Sequence, residues 1–166
     1  LDKKQALRLR LLAEELTGML PELVENFDGM FWVENDGNKY ELHVELAVNS
    51  LSKEKKKSLI AVSSNNKNAA VVGFMGKIRD IAQNMLLYSE DQDLYLMPFQ
   101  YYNEYTMDSY YSYSWSLDQY MLQYDNNPKK EEEWDQLEKS IVAKLADDVI
   151  VGVKGKKVDI IIKKEF

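Results

Sequence analysis

The segment best suited to hold an anion runs from Ser63-Ser-Asn-Asn-Lys-Asn68 to Gly73-Phe-Met-Gly76-Lys77. Ser63, Ser64, Lys67 and Asn68 offer hydroxyl, ammonium and amide donors. Gly73 and Gly76 bracket a turn that leads into a helix start, where backbone N–H groups and the helix dipole favour phosphate and Lys77 adds a positive charge. The spacing is not that of a Walker A loop, because its Gly-to-Gly-Lys interval and the hydroxyl after the Lys are absent. A polar loop followed by a close-packing glycine is the competing explanation. On the first helix, Glu14 and Glu15 stand among apolar neighbours, where a carboxylate can serve as a general base or simply flank the helix. His43 is the single histidine, and it falls on a polar strand face with Glu41 and Glu45, where a solvated ring is expected.

The rest of the composition removes several chemistries. There is no cysteine, so no thiol nucleophile, disulfide framework or zinc-thiolate site is available. With 45% apolar and 30% charged residues, the 166-residue chain reads as one domain, 1–166, with a hydrophobic core. No apolar run reaches membrane-spanning length, and the first residues lack a secretory pattern, so no membrane association and a cytoplasmic location are expected. The net charge of −7 argues against nucleic acid as a partner.

Charge and tyrosine are unevenly spread. Between Asp80 and Pro128 there are eight acids and no Lys or Arg, and ten of the eleven tyrosines fall in the same window. This marks an acidic, Tyr-rich insert at about 88–128 in a near-neutral scaffold. Its aromatics either cover the domain's own flank or present a binding platform, since Tyr gives large contact area at low entropic cost.

The elements that position these residues follow from hydrophobic period. Leu9, Leu12, Leu16, Met19 and Leu23 predict a helix over 3–26, with Pro21 and Gly29 as bends or its end. Residues 30–34 and 40–47 flank the turn Asn35-Asp-Gly-Asn38 and predict a hairpin. A short helix over 51–59 and a short strand over 59–63 follow. Ile78, Ile81, Ala82, Met85 and Leu86 predict a helix over 76–87. Trp134, Leu137, Ile141, Leu145 and Val149 predict another over 132–147, and 149–153 with 158–165 close the chain as a second hairpin. The order predicts an α+β fold, a two-layer α/β sandwich with helices on one face of a mainly antiparallel mixed sheet.

Leu9-Arg-Leu-Leu-Ala-Glu-Glu-Leu-Thr17 resembles the N-box helix of the gyrase, histidine-kinase and heat-shock ATPase superfamily (GHKL), in the style of its anti-sigma-factor serine kinases. The segment from Glu138 through Val153 to Phe166 is similar to that family's last helix and terminal hairpin. The resemblance implies a Bergerat-like ATPase domain in which Glu14 takes the place of the catalytic acid. It also implies phosphate contacts from the Gly73–Gly76 turn. Gly18 stands where the family has its Mg²⁺-binding Asn, and no Asp-x-Gly-x-Gly adenine loop follows the 40–46 strand. Loss of the family's opening strand would leave a sheet edge available for pairing.

The combined expectation is a regulatory or partner-binding protein on a degenerate ATP-binding fold, without turnover by this chain alone. A protein partner is expected, with homo-oligomerisation left open, and no metal site is assigned. The alternative is an active ATP-dependent serine kinase or ATPase using ATP and Mg²⁺. In that reading Glu14 is the base and Lys77 clamps phosphate.

Overall fold

The computed structural model describes residues 1–23, 27–48, 74–91, 113–124 and 140–166. The expected elements at 51–59 and 59–63, and residues 132–139 of the expected last helix, lie outside them.

Helix α1 spans Lys3–Gly18 and begins on a capping box, in which Asp2 accepts from the Gln5 backbone N–H while the Gln5 side chain accepts from the Asp2 backbone N–H. Leu12 and Leu16 are its fully buried residues. The expected single helix over 3–26 is divided: α1 ends at Gly18 and a short α2 follows over Leu20–Leu23. Pro21 accounts for the break, because its nitrogen has no hydrogen to continue the ladder across the junction. Gly29, expected to end or bend that helix, lies instead inside β1 (Phe27–Asp36). A Cβ there would meet Leu46 Cδ2 at 2.8 Å, so glycine admits the close approach of that core side chain.

β1 pairs with β2 (Lys39–Val48) through a turn in which Gly37 takes φ 63°. β4 (Asp148–Lys154) and β5 (Lys157–Glu165) form the second hairpin, with Gly155 at φ 59°. Both positions are left-handed, where glycine carries no Cβ penalty. The two hairpins join through β2 and β5 into one sheet. β3 (Tyr113–Ser116) pairs with β4, giving among the described residues the order β1-β2-β5-β4-β3 with every pairing antiparallel.

Alternation decides which face is buried. Leu42, Val44, Leu46 and Val48 of β2, Val149, Val151 and Val153 of β4, and Val158, Ile160 and Ile162 of β5 are all buried. They form one cluster with Leu12 and Leu16 and with Ile78, Ile81, Ala82, Met85 and Leu86 of α3 (Phe74–Asp91). The α+β expectation holds, with helices and a five-stranded sheet sharing one core.

Two segments depart from the periodic reading. The tyrosine-rich window, for which no regular element was expected, supplies β3 and α4 (Leu117–Tyr124), with Trp115 and Leu117 buried. The Ser114/Trp115/Ser116 alternation is too short to stand out in sequence. In α5 (Ile141–Leu145), capped by Ser140, the buried residue is Val142, while Ile141 is 50% exposed. The helix stops at Leu145, and Val149 belongs to β4, so the apolar spacing that joined them crossed an element boundary.

Candidate functional site

Among the described residues, a concentrated polar constellation lies on the outer side of the first hairpin. The turn fixes its register: Trp32 pairs with His43 and Glu34 with Glu41. The β period of two puts these four side chains on the face opposite Leu42 and Val44. Trp32 stacks on His43 with ring centroids 4.8 Å apart and planes 7° apart, and its Nε1 donates to Glu34 Oε1 at 2.8 Å. The imidazole is 12% exposed, not solvated as expected, because the indole covers it.

His43 Nε2 stands 3.3 Å from Glu41 Oε2 and 3.9 Å from Glu34 Oε1. It is shielded from solvent and has no hydrogen-bond partner among the described residues. The three ligand-type atoms lie within 4.8 Å of one another. Lys163 Nζ reaches Glu41 Oε1 at 3.5 Å, and Lys157 Nζ reaches Glu45 at 3.2 Å further along the same face. The group can hold a cation or polarise a small polar ligand. Sequence reasoning put Glu41, His43 and Glu45 on one face but did not carry the pairing across the turn, which would have added Trp32 and Glu34.

The residues expected to form a nucleotide site are distributed differently. Glu14 is exposed, and Arg10 Nε donates to its Oε1 at 2.7 Å. That hydrogen bond, with the carboxylate's charge, holds the Arg10 guanidinium above its ordinary pKa. Gly76 and Lys77 sit in the first turn of α3. Lys77 Nζ donates to Tyr120 Oη and lies 4.1 Å from that ring's centroid, so its ammonium contacts α4. No hydrogen bond or ion pair joins Glu14 to Gly76 or Lys77 among the described residues. Ser63, Ser64, Lys67, Asn68 and Gly73 lie outside the described residues.

A second feature adjoins the polar cluster. β1 stands at one end of the sheet, and its Met30, Phe31, Trp32 and Val33 are 62%, 43%, 37% and 44% exposed. Phe31 and Val33 share the face of buried Val44 and Leu42 but lie beyond the cover given to those residues. No helix of the described residues is long and apolar enough to cross a membrane. No family model, curated protein or solved structure matches the chain.

Proposed function

We propose that this chain is a cytoplasmic regulatory protein that binds a protein partner, built on a degenerate histidine kinase-like ATPase fold and without turnover of its own. The exposed apolar run Met30–Val33 on a ten-residue end strand carries this reading. Long apolar edge strands are ordinarily shortened, covered or protected with Lys or Pro, and β1 contains neither residue. An extended segment adding to β1 gains main-chain hydrogen bonds and covers Phe31 and Val33 on one face, Met30 and Trp32 on the other. Asp28, Glu34 and Asp36 favour a partner segment that carries basic side chains among its apolar ones.

Loss of nucleotide chemistry is supported by Gly18 at the Mg²⁺-ligand position of the resembled motif and by the solvent-side pairing of Glu14 with Arg10. Lys77, engaged by Tyr120, gives the same direction.

Two measurements test the reading. A photo-crosslinking residue at Met30 should give one discrete protein adduct in cells, absent when the label is at exposed Arg8 and lost on adding Val33→Lys. An adduct of twice the chain's mass identifies a second copy as the partner; equal labelling at Arg8 removes the β1 assignment. Thermal melting with excess ATP and Mg²⁺ should show no shift, whereas a ligand at 100 times its Kd would add about 2.7 kcal/mol. A shift abolished by Gly76→Asp would instead establish nucleotide binding and favour the active ATP-dependent kinase or ATPase.

A further inference from the structure

We propose that Glu34, Glu41 and His43 form a binding site for a divalent transition-metal ion of the Zn²⁺ type on the outer face of the first hairpin. Glu34 and Glu41 are direct cross-strand partners. Like charges placed opposite each other in an antiparallel pair repel, so a cation between them would relieve this register. Lys163 meets Glu41 Oε1, leaving Oε2 directed at the imidazole.

His43 supplies the independent observation. Its Nε2 lies near both carboxylates, is hidden from water and makes no hydrogen bond among the described residues. An uncompensated buried nitrogen is costly, and a metal ion would satisfy it as no side chain among the described residues does. The spacing fits: two ligands ~2.0–2.1 Å from a tetrahedral ion lie ~3.3–3.4 Å apart, and Nε2 is 3.3 Å from Glu41 Oε2. Glu34, at 3.9 Å and 61% exposed, closes the third contact by a small side-chain movement. Water would complete the coordination.

The surroundings resemble the outer support of metal sites. Trp32 fixes the plane of the imidazole by stacking and holds the Glu34 carboxylate through Nε1. One imidazole with two carboxylates selects Zn²⁺, Ni²⁺ or Cu²⁺ over Mg²⁺ and Ca²⁺, which prefer oxygen ligands alone.

Because His43 is the chain's only histidine, its ring gives a single set of imidazole NMR signals. Titration of the whole chain with ZnCl₂ should shift those signals to saturation at one ion per chain, while MgCl₂ and CaCl₂ leave them in place. Glu41→Gln and Glu34→Gln, both on accessible side chains, should each weaken the Zn²⁺ response at least about 10-fold. Trp32→Phe keeps the stack but removes the donor to Glu34, and should weaken it less than either Glu substitution. His43 signals unmoved by a large excess of Zn²⁺ would overturn the site. So would a shift of equal midpoint in the wild type and both Gln variants, because that describes binding elsewhere among the acidic groups. Melting curves of each variant without metal separate lost ligands from lost fold.

Discussion

The indole of Trp32 lies flat on the imidazole of His43, the two residues being direct partners across the β1–β2 pair. A strand that exposes most of its side chains therefore still protects one residue of its neighbour. Removing the indole should loosen the hairpin as well as uncover the ring. Aromatic pairs of this kind contribute about 0.5–1.5 kcal/mol. Trp32→Ala should lower stability by about that amount in urea unfolding, and a double-mutant cycle with His43→Ala should show that the two losses are not additive. Independent losses would mean that the stack carries no coupling.

The core takes Val158, Ile160 and Ile162 from β5. Ile160 is fully buried beside Val44 and Val151, while Ile161 lies on the other face and is only partly covered. Ile160→Ala should cost about 2–5 kcal/mol, the range for emptying a packed aliphatic site. Ile161→Ala should cost clearly less, and equal midpoints for the two variants in chemical denaturation would contradict the assigned faces.

Gln83 connects two helices by one buried bond. Its Nε2 donates to the carbonyl oxygen of Leu23, the last residue of α2, at 2.8 Å, where helix carbonyls generally need a partner from outside the helix. In Gln83→Leu the carbonyl loses that donor in a buried setting, and a loss of about 1–3 kcal/mol is expected from equilibrium unfolding. The added apolar surface of leucine would stabilise the core if the carbonyl were already reached by water, so an unchanged or raised Tm would refute the assignment.

Asp80 supplies a pH signature. Burial raises its pKa, and the nearby Arg79, 3.5 Å away, offsets only part of that rise. Below the ordinary aspartate range the group is neutral in both folded and unfolded states. As pH climbs from that range through the raised folded value, the unfolded chain releases the proton first, so stability falls across this window. Asp80→Asn should remove that slope, its Tm advantage over wild type growing with pH through the same interval. A constant difference between the two melting series would show that Asp80 is not the source.

Sequence patterning carried most of the sheet, because β2 alternates cleanly, β5 holds the apolar cluster Ile160–Ile162, and both hairpin turns hold a glycine where left-handed φ is required. It carried less of the helices. The run from Leu9 to Leu23 keeps its apolar period across the break before Pro21, so a single helix and two successive ones have the same spacing. The Ile141–Val149 spacing likewise ran from a helix into a strand.

The hairpin cluster was half visible. Glu41 and His43 share a face by period alone, but Trp32 and Glu34 join them only through the two-residue Gly37–Asn38 connection and the register that it sets. The covered state of His43 depends on a cross-strand ring that local sequence does not reveal. Lys77 illustrates the opposite case. Its position at the head of a helix suggests phosphate, yet the group that meets it, Tyr120, lies 43 residues further along the chain.

The adjacency of β2 and β5 also sets a timetable. Asn38, in the turn just before β2, donates through Nδ2 to Glu165, at the end of β5, across 127 positions of chain. At roughly 5–20 residues per second, a ribosome takes about 6–25 s to make that interval. Throughout it, β2 lacks β5, and Leu42, Val44 and Leu46 lack the neighbours that β5 supplies in their layer. The sheet is therefore assembled late, by arrival of the second hairpin between the first hairpin and β3. In a cell, the period of greatest exposure to misassociation falls before that arrival, and a ribosome stalled ahead of β5 leaves a nascent chain whose central seam has not closed.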